Sequence, residues 1–288
     1  MTNQRPTIGL ALSGGAARGM AHVGVLRAIT ENKIPIDYVA GTSAGSLVGA
    51  AFASGLPIDE ITNLSRDLRW RDIGRMTMSR RGIQSNERLE AYVRARLPIT
   101  RFEDLPIPFA AVATDLNTGA AVIMRDEGDV PFAVRASCTI PGWYVPVIDN
   151  EGRHLVDGGL VAVVPASVVR SLGSDLVIAV DVNADGAKFF SSSNSVIGVL
   201  LQSMLVVQKT ASHYQIASSD LVINPKVGHI RWDEMGRAEE LMEAGYVAAK
   251  EKMPQMLRMI EEAVDAQPRW YQLRRRRKVP VKPLSLPR

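Results

Sequence analysis

Ser43 sits at the centre of Gly41-Thr42-Ser43-Ala44-Gly45, between a short apolar run at 38–40 and a small-residue helical pattern over 44–54. A Gly-x-Ser-x-Gly pentapeptide at a strand-to-helix junction is the pattern of a nucleophile elbow. Its turn is so sharp that the residues two before and two after the serine approach neighbouring backbone, where only glycine fits. The following helix N-terminus favours the negative charge of a developing oxyanion. A second glycine-rich turn, Gly14-Gly15-Ala16-Ala17-Arg18-Gly19, again lies between a strand pattern and a helix pattern. Backbone N–H groups exposed at such a turn bind anions, either a phosphate or a tetrahedral oxyanion. No Gly-Lys-Ser/Thr follows, which excludes a P-loop. A dinucleotide site needs an acidic residue at the end of the second strand, whereas Asp37 begins that strand. A third segment, Asp157-Gly158-Gly159, follows a strand pattern at 153–156. Its carboxylate has the chemistry of a base, and its glycines permit close approach by another backbone. Standing alone it reads as an ordinary Asp-Gly turn.

A serine nucleophile ordinarily works with histidine, and the chain has four. His22 lies inside the first helix pattern and reads as a packed helix residue. His154 precedes Asp157 by three positions, so on a strand the two side chains take opposite faces. His213 falls on a long helix pattern, and His229 lies near Arg231-Trp232-Asp233; neither has a recognisable catalytic context. At this level a Ser-His-Asp hydrolase stays open beside a serine–aspartate pair.

The elements that must position these residues alternate. Strand patterns at 8–12, 38–40, 109–114, 120–124, 153–156, 176–182 and 221–223 are interleaved with helix patterns at 18–31, 44–54, 58–68, 86–97 and 196–217. Ser85 is the expected cap of the 86–97 helix. Two closing helices are expected, near 234–251 and at 254–266, separated at Pro254. Repeated strand–helix–strand order predicts a three-layer α/β/α sandwich with a mostly parallel central sheet; the continuous apolar run at 176–182 has the character of a central parallel strand. The stretches 75–84 and 184–195 read as polar loops, the second holding Phe189-Phe190, expected to fold back on the core.

The 288 residues suffice for one large domain, expected over 1–267. With 46% hydrophobic and 22% charged residues, the composition excludes global disorder. The net charge of +4 is unevenly placed: residues 269–288 carry eight basic side chains and no acidic one, leaving residues 1–268 at −4. A nucleic-acid-binding body is therefore not implied. The segment 268–288, with Arg274 to Lys278 as a basic run, is expected to be a disordered tail, either solvated or held against anionic lipid. Cys138 alone can make neither an internal disulfide nor a cysteine-rich metal site. The polar start lacks a signal-peptide shape and no run approaches a membrane-spanning length, so the expected setting is the cytoplasm, with peripheral contact at the inner membrane surface.

With the three segments in this order, the sequence resembles the patatin-like phospholipase family, in particular its short bacterial branch, related to the catalytic domain of neuropathy-target-esterase-like enzymes. The resemblance spans roughly residues 7–265. It rests on the turn with Arg18-Gly19 and the following Ala21-His22-Val23-Gly24-Val25-Leu26, the elbow Gly41 to Gly45, the segment Ala136-Ser137-Cys138-Thr139-Ile140-Pro141-Gly142 with Pro146, and Asp157-Gly158-Gly159. It implies a serine–aspartate dyad without histidine: Ser43 attacks an acyl ester and Asp157 accepts its proton. The N–H groups around Gly14, Gly15 and Ala16 hold the oxyanion, and Arg18 braces the turn or meets an anionic head group. It implies no cofactor and no metal, an acyl-lipid substrate, and no specific nucleic-acid partner. One departure is Ala16, where many relatives carry glycine; an alanine there is strained if the turn needs positive φ. A non-catalytic lipid- or protein-binding regulator with the same fold is the competing class.

Overall fold

The computed structural model describes residues 5–184 and 195–265; the Phe189-Phe190 pair, Pro268 and the basic stretch 269–288 lie outside them. Among the described residues the strands run in chain order as β1 (Ile8–Leu12), β2 (Tyr38–Thr42), β3 (Arg75–Met76), β4 (Gly82–Ser85), β5 (Phe109–Asp115), β6 (Ala121–Met124), β7 (Gly142–Tyr144), β8 (Val147–Ile148), β9 (His154–Asp157), β10 (Leu176–Val180) and β11 (Leu221–Ile223). The helices are α1 (Ala21–Glu31), α2 (Ala44–Ala53), α3 (Ile58–Asp67), α4 (Trp70–Ile73), α5 (Glu87–Arg94), α6 (Val130–Ser137), α7 (Ala166–Ser171), α8 (Val196–Gln215) and α9 (Ala238–Asp265).

The main sheet is parallel from β11 through β10, β1 and β2 to β5. Alternate side chains on these strands enter two separate cores, as the two-residue period of a strand requires. Ile8, Leu10, Leu12, Val39, Phe109, Ile178 and Val180 point into the larger core, which includes side chains of α1, α2 and α9. Ala11, Ala40, Ala110, Val112, Val177 and Ala179 point the other way, into a thinner core built with α7. The chain is thus an α/β/α sandwich with a mostly parallel sheet, its large side chains on one face and mostly alanine and valine on the other.

Parts of the structure differ from the sequence pattern, which does not anticipate α4, α6, α7, β7 or β8. The 75–84 stretch forms β3 and β4, which join β7 in a small second sheet; its polar composition hid short strands. Asn86 takes the N-cap position of α5 without a side-chain cap bond, while Ser85 ends β4 and its hydroxyl accepts from the Glu87 N–H. α9 runs unbroken through Pro254. A proline inside a helix costs about 3 kcal/mol, a sum offset by burial of Met253 and Met256 on either side, at roughly 1.5–3 kcal/mol for each such side chain.

The strand that arranges the chemistry is β5. One of its edges is occupied by β6 along Ala111 to Thr114. Its other edge is shared by two strands of opposite direction: β2 pairs with Phe109 to Val112 and β9 with Ala113 to Asp115. The carboxyl ends of β2 and β9 therefore meet head to head, Thr42 opposite Val112 and Asp157 opposite Ala113. Continuity demands a glycine at 158, because a Cβ there would lie 2.2 Å from the Val112 carbonyl oxygen. Gly158→Ala is expected to destabilise the fold by about 1–3 kcal/mol, the range for overpacking, read from the midpoint of urea unfolding at unchanged slope.

Candidate active site

Ser43 follows β2 directly and precedes the first residue of α2, with φ 52° and ψ −125°. A non-glycine residue in such a conformation costs of order 1–3 kcal/mol and persists only where its surroundings hold it. Both of its peptide groups are held. The Ser43 N–H donates to the Ser137 hydroxyl at 2.8 Å, and that hydroxyl donates in turn to the Val112 carbonyl at 2.6 Å. The Ser43 carbonyl accepts from the Ser46 N–H at 2.8 Å and the Ser46 hydroxyl at 2.6 Å. The flanking glycines are forced by space: a Cβ at Gly41 would lie 2.3 Å from the Gly45 carbonyl oxygen, and one at Gly45 would lie 2.2 Å from that of Leu12.

Asp157 is buried, its carboxylate accepts from the Gly159 N–H at 2.8 Å, and it shares a pocket wall with Ser43. Loss of hydration on burial pushes its pKa up to about 6, held from rising further by the Ser43 side chain and the Gly159 N–H. This is the range of a usable general base near neutral pH. Cys138 lies close by, but burial and the nearby Asp157 charge push its thiol pKa up, so the thiol stays protonated.

The glycine-rich turn follows β1 and continues as a 3-10 turn, Ala16–Met20, into α1. Its peptide planes are fixed one by one. The Ser13 carbonyl is bound by His22 Nε2 at 2.8 Å, which sends the Gly14 N–H to the Val163 carbonyl at 3.0 Å. The Gly14 carbonyl accepts from Asn183 Nδ2 at 2.6 Å, and the Gly15 carbonyl accepts from the Arg18 N–H at 3.1 Å. The Gly15 and Ala16 N–H groups have no acceptor among the described residues. The expected trio of donors thus reduces to two, Gly14 being committed to Val163. Ala16 does adopt positive φ, 48°, the strained case for alanine.

The four histidines stand apart from Ser43 in role. His22 is buried and its pKa falls to about 4 through lost hydration, so it is a neutral support for the turn. His154 begins β9, His213 is exposed on α8, and His229 is exposed against Glu240. Arg18 is buried, with Nε donating to the Ile230 carbonyl at 2.6 Å, and it braces the turn against the 227–232 segment. Gly19 packs directly on Ala44, joining the two turns. Gly159 borders the pocket beside Gln208. Two residues that hold these turns were not singled out from sequence: Ser137, visible there only as part of a motif, and Asn183, just beyond the 176–182 strand pattern.

Ser43, Ala16 and Ile140 line two cavities that meet at the serine. One, with Asp157, Arg18, Asn183 and Gln208 in its wall, is of mixed polarity; the other is apolar.

The chain matches the sequence pattern of the patatin-like phospholipases over residues 10–170 and belongs to that family. It is 38% identical over 185 residues to an uncharacterized NTE family protein of Mycobacterium bovis, covering 63% of this chain and 51% of that protein. Over 187 residues it is 33% identical to human patatin-like phospholipase domain-containing protein 6, covering 62% of this chain and 13% of that protein. The alignment with the mycobacterial relative spans about half of that protein's length. The fold is similar to that of VipD from Legionella pneumophila, with a TM-score of 0.52 and 12% identity over 87% of this chain and 67% of that one.

The raised Asp157 pKa carries a consequence for stability. The folded state holds this proton more tightly than the unfolded chain, so its contribution is present below about pH 4 and lost as pH rises through about 6. Asp157→Asn removes that loss while retaining an acceptor for the Gly159 N–H. Above pH 7 the variant is expected to be more stable than wild type by roughly 2–3 kcal/mol, with the difference vanishing near pH 4. Urea unfolding across that pH range measures it.

Proposed function

We propose that this chain is a serine acyl hydrolase that cleaves the carboxylic ester of a phospholipid, lysophospholipid or related acyl lipid through a Ser43–Asp157 dyad. The observation that carries the reading is a strained, buried serine set beside a buried carboxylate whose pKa is raised to about 6, next to two backbone N–H groups with no acceptor among the described residues. The Asp157 carboxylate takes the Ser43 proton as the serine oxygen adds to the ester carbonyl. The Gly15 and Ala16 N–H groups receive the resulting oxyanion. Collapse of this intermediate expels the alcohol, which leaves with the proton from Asp157. Asp157 then deprotonates a water that hydrolyses the acyl-enzyme, restoring both groups. His22 and Asn183 act by holding carbonyls of the turn, Ser137 by holding the elbow.

Membership of the patatin-like phospholipases supports the lipid-ester substrate class. The helix α8 supports it too: Met204, Leu205 and Gln208 border the pocket, while Val196, Leu200, Val206 and Val207 are exposed on its outer face. Among the described residues no helix is long and apolar enough to cross a membrane. We assign the lipid-contact role instead to the basic stretch 269–288, appended to a catalytic domain ending near residue 267. Each basic group near an anionic surface contributes about 1 kcal/mol.

Ser43→Ala is expected to abolish ester hydrolysis and labelling by a fluorophosphonate, with the fold retained. Wild-type protein that resists the probe and hydrolyses no ester would favour the non-catalytic regulator. Asn183→Ala should lower kcat roughly ten-fold with KM nearly unchanged, because it frees the peptide that aims the Gly15 N–H at charge present only in the transition state. Truncation after Ala266 should weaken binding to anionic vesicles at low salt and spare hydrolysis of a small soluble ester. Equal vesicle binding with and without the segment would remove its lipid role.

A further inference from the structure

The apolar cavity that meets Ser43 is walled by three helices, each contributing a stripe at helical spacing. From α2 come Ala44, Leu47, Val48 and Ala51; from α3 and its end, Ile61, Leu64, Ser65 and Leu68; from α5 and its end, Leu89, Tyr92, Val93, Arg96 and Leu97. Side chains at i, i+3, i+4 and i+7 share one helix face, so three apolar faces that would otherwise close on each other leave a space of about 110 Å³ between them. Its α2 wall begins at the residue next to the nucleophile. Among the described residues that line it, only Arg96 is charged.

Arg96 stands where the cavity borders the surface, among residues that do not include Ser43. With Leu64 and Tyr92 it borders both the cavity and an open surface depression lined by Asp67, Arg71, Asp72 and Arg88. Its guanidinium lies 3.6 Å from the centre of the Tyr92 ring and donates to the Tyr92 carbonyl at 3.3 Å. The Tyr92 hydroxyl reaches the Leu64 carbonyl of α3 at 3.5 Å. The stacked pair thus forms a wall between an apolar interior and water.

We propose that this cavity is the acyl-chain site and that Tyr92 and Arg96 close its far end, so that they and Ala51 set the chain length accepted. The proposal rests on the hydrolase reading and fixes the direction of the substrate. The acyl chain runs from Ser43 along α2, and the alcohol portion occupies the mixed-polarity lobe with Arg18, Asn183 and Gln208. An unbranched apolar chain suits a narrow space lined mainly by apolar side chains, whereas an alcohol or head group there would leave most of its hydrogen bonds unmade. From Ala44 to Ala51 the helix advances about 10 Å, the span of roughly eight extended methylenes. A bulky side chain at 51 therefore blocks chains longer than about eight carbons.

The test compares p-nitrophenyl butyrate, decanoate and palmitate as substrates of the full-length chain, together with calorimetric titration of decanoate. In Ala51→Phe the decanoate-to-butyrate ratio of kcat/KM should fall at least ten-fold and decanoate binding should be lost. Ser65→Phe, on a half-buried position of α3, provides the same block should the Ala51→Phe variant fail to fold. Arg96→Ala opens the far end and should raise the palmitate-to-decanoate ratio at least five-fold. Unchanged ratios in folded variants, with hydrolysis still dependent on Ser43, would overturn the cavity assignment and leave the hydrolase standing. Decanoate bound by wild type and lost in Ala51→Phe, without turnover of any ester, would support the cavity and remove the hydrolase. Decanoate that fails to bind wild type would overturn the cavity assignment.

Discussion

Two strands of opposite direction abut on a single edge of β5, and the geometry of the site depends on that junction. β2 delivers Ser43 just past Val112, and β9 delivers Asp157 opposite Ala113, so adjacent positions on one strand set the spacing of the proposed nucleophile and base. A parallel sheet extended in the ordinary way would place the next strand, not a carboxylate, at this point. The junction is tied by short-range contacts that use the same backbone group. The Val112 carbonyl receives the Ser137 hydroxyl, which holds the Ser43 N–H, and it packs against the Gly158 Cα, where no side chain fits. The Thr114 hydroxyl donates to the Asp157 carbonyl at 2.9 Å, and the Asp157 N–H donates to the Thr139 carbonyl, fixing the last residue of β9 from both sides.

Burial supports the chemistry proposed for this junction. An exposed carboxylate is too weak a base for a serine hydroxyl, and removal from water strengthens it at the expense of folding stability. The glycine-rich turn shows the complementary arrangement. Its carbonyls are tied to His22, Asn183 and the Arg18 N–H, so the peptide planes cannot rotate and the Gly15 and Ala16 donors keep their direction. Donors already oriented need no reorganisation when charge develops, which is the main source of transition-state stabilisation in such sites. The positive φ of Ala16 is strain tolerated inside this tightly held turn.

Where the sequence pattern was local, it was readable. The glycines around Ser43 and Asp157 mark close backbone approaches, and the apolar runs of β1, β2, β5 and β10 mark a sheet buried on both faces. What was not readable depends on contacts across the fold. Asn183 lies 169 positions from Gly14, and its amide has no role until β10 is set beside β1. Ser137 acts only once α6 ends beside β5. β3 and β4 are too short and polar to show a period, and Pro254 signals a helix end that buried methionines override. The two lobes meeting at Ser43 were likewise invisible, since their walls come from helices far apart in the chain.

The central claim is that Asp157 is the base that activates Ser43. The most direct measurement is the rate of fluorophosphonate labelling as a function of pH, with the modified peptide identified by mass spectrometry. The account predicts labelling at Ser43, a rate that rises with an inflection near pH 6 as Asp157 ionises, and loss of that inflection together with most of the rate in Asp157→Asn. Labelling at another residue, or a pH profile retained in Asp157→Asn and abolished by replacing one histidine, would contradict it.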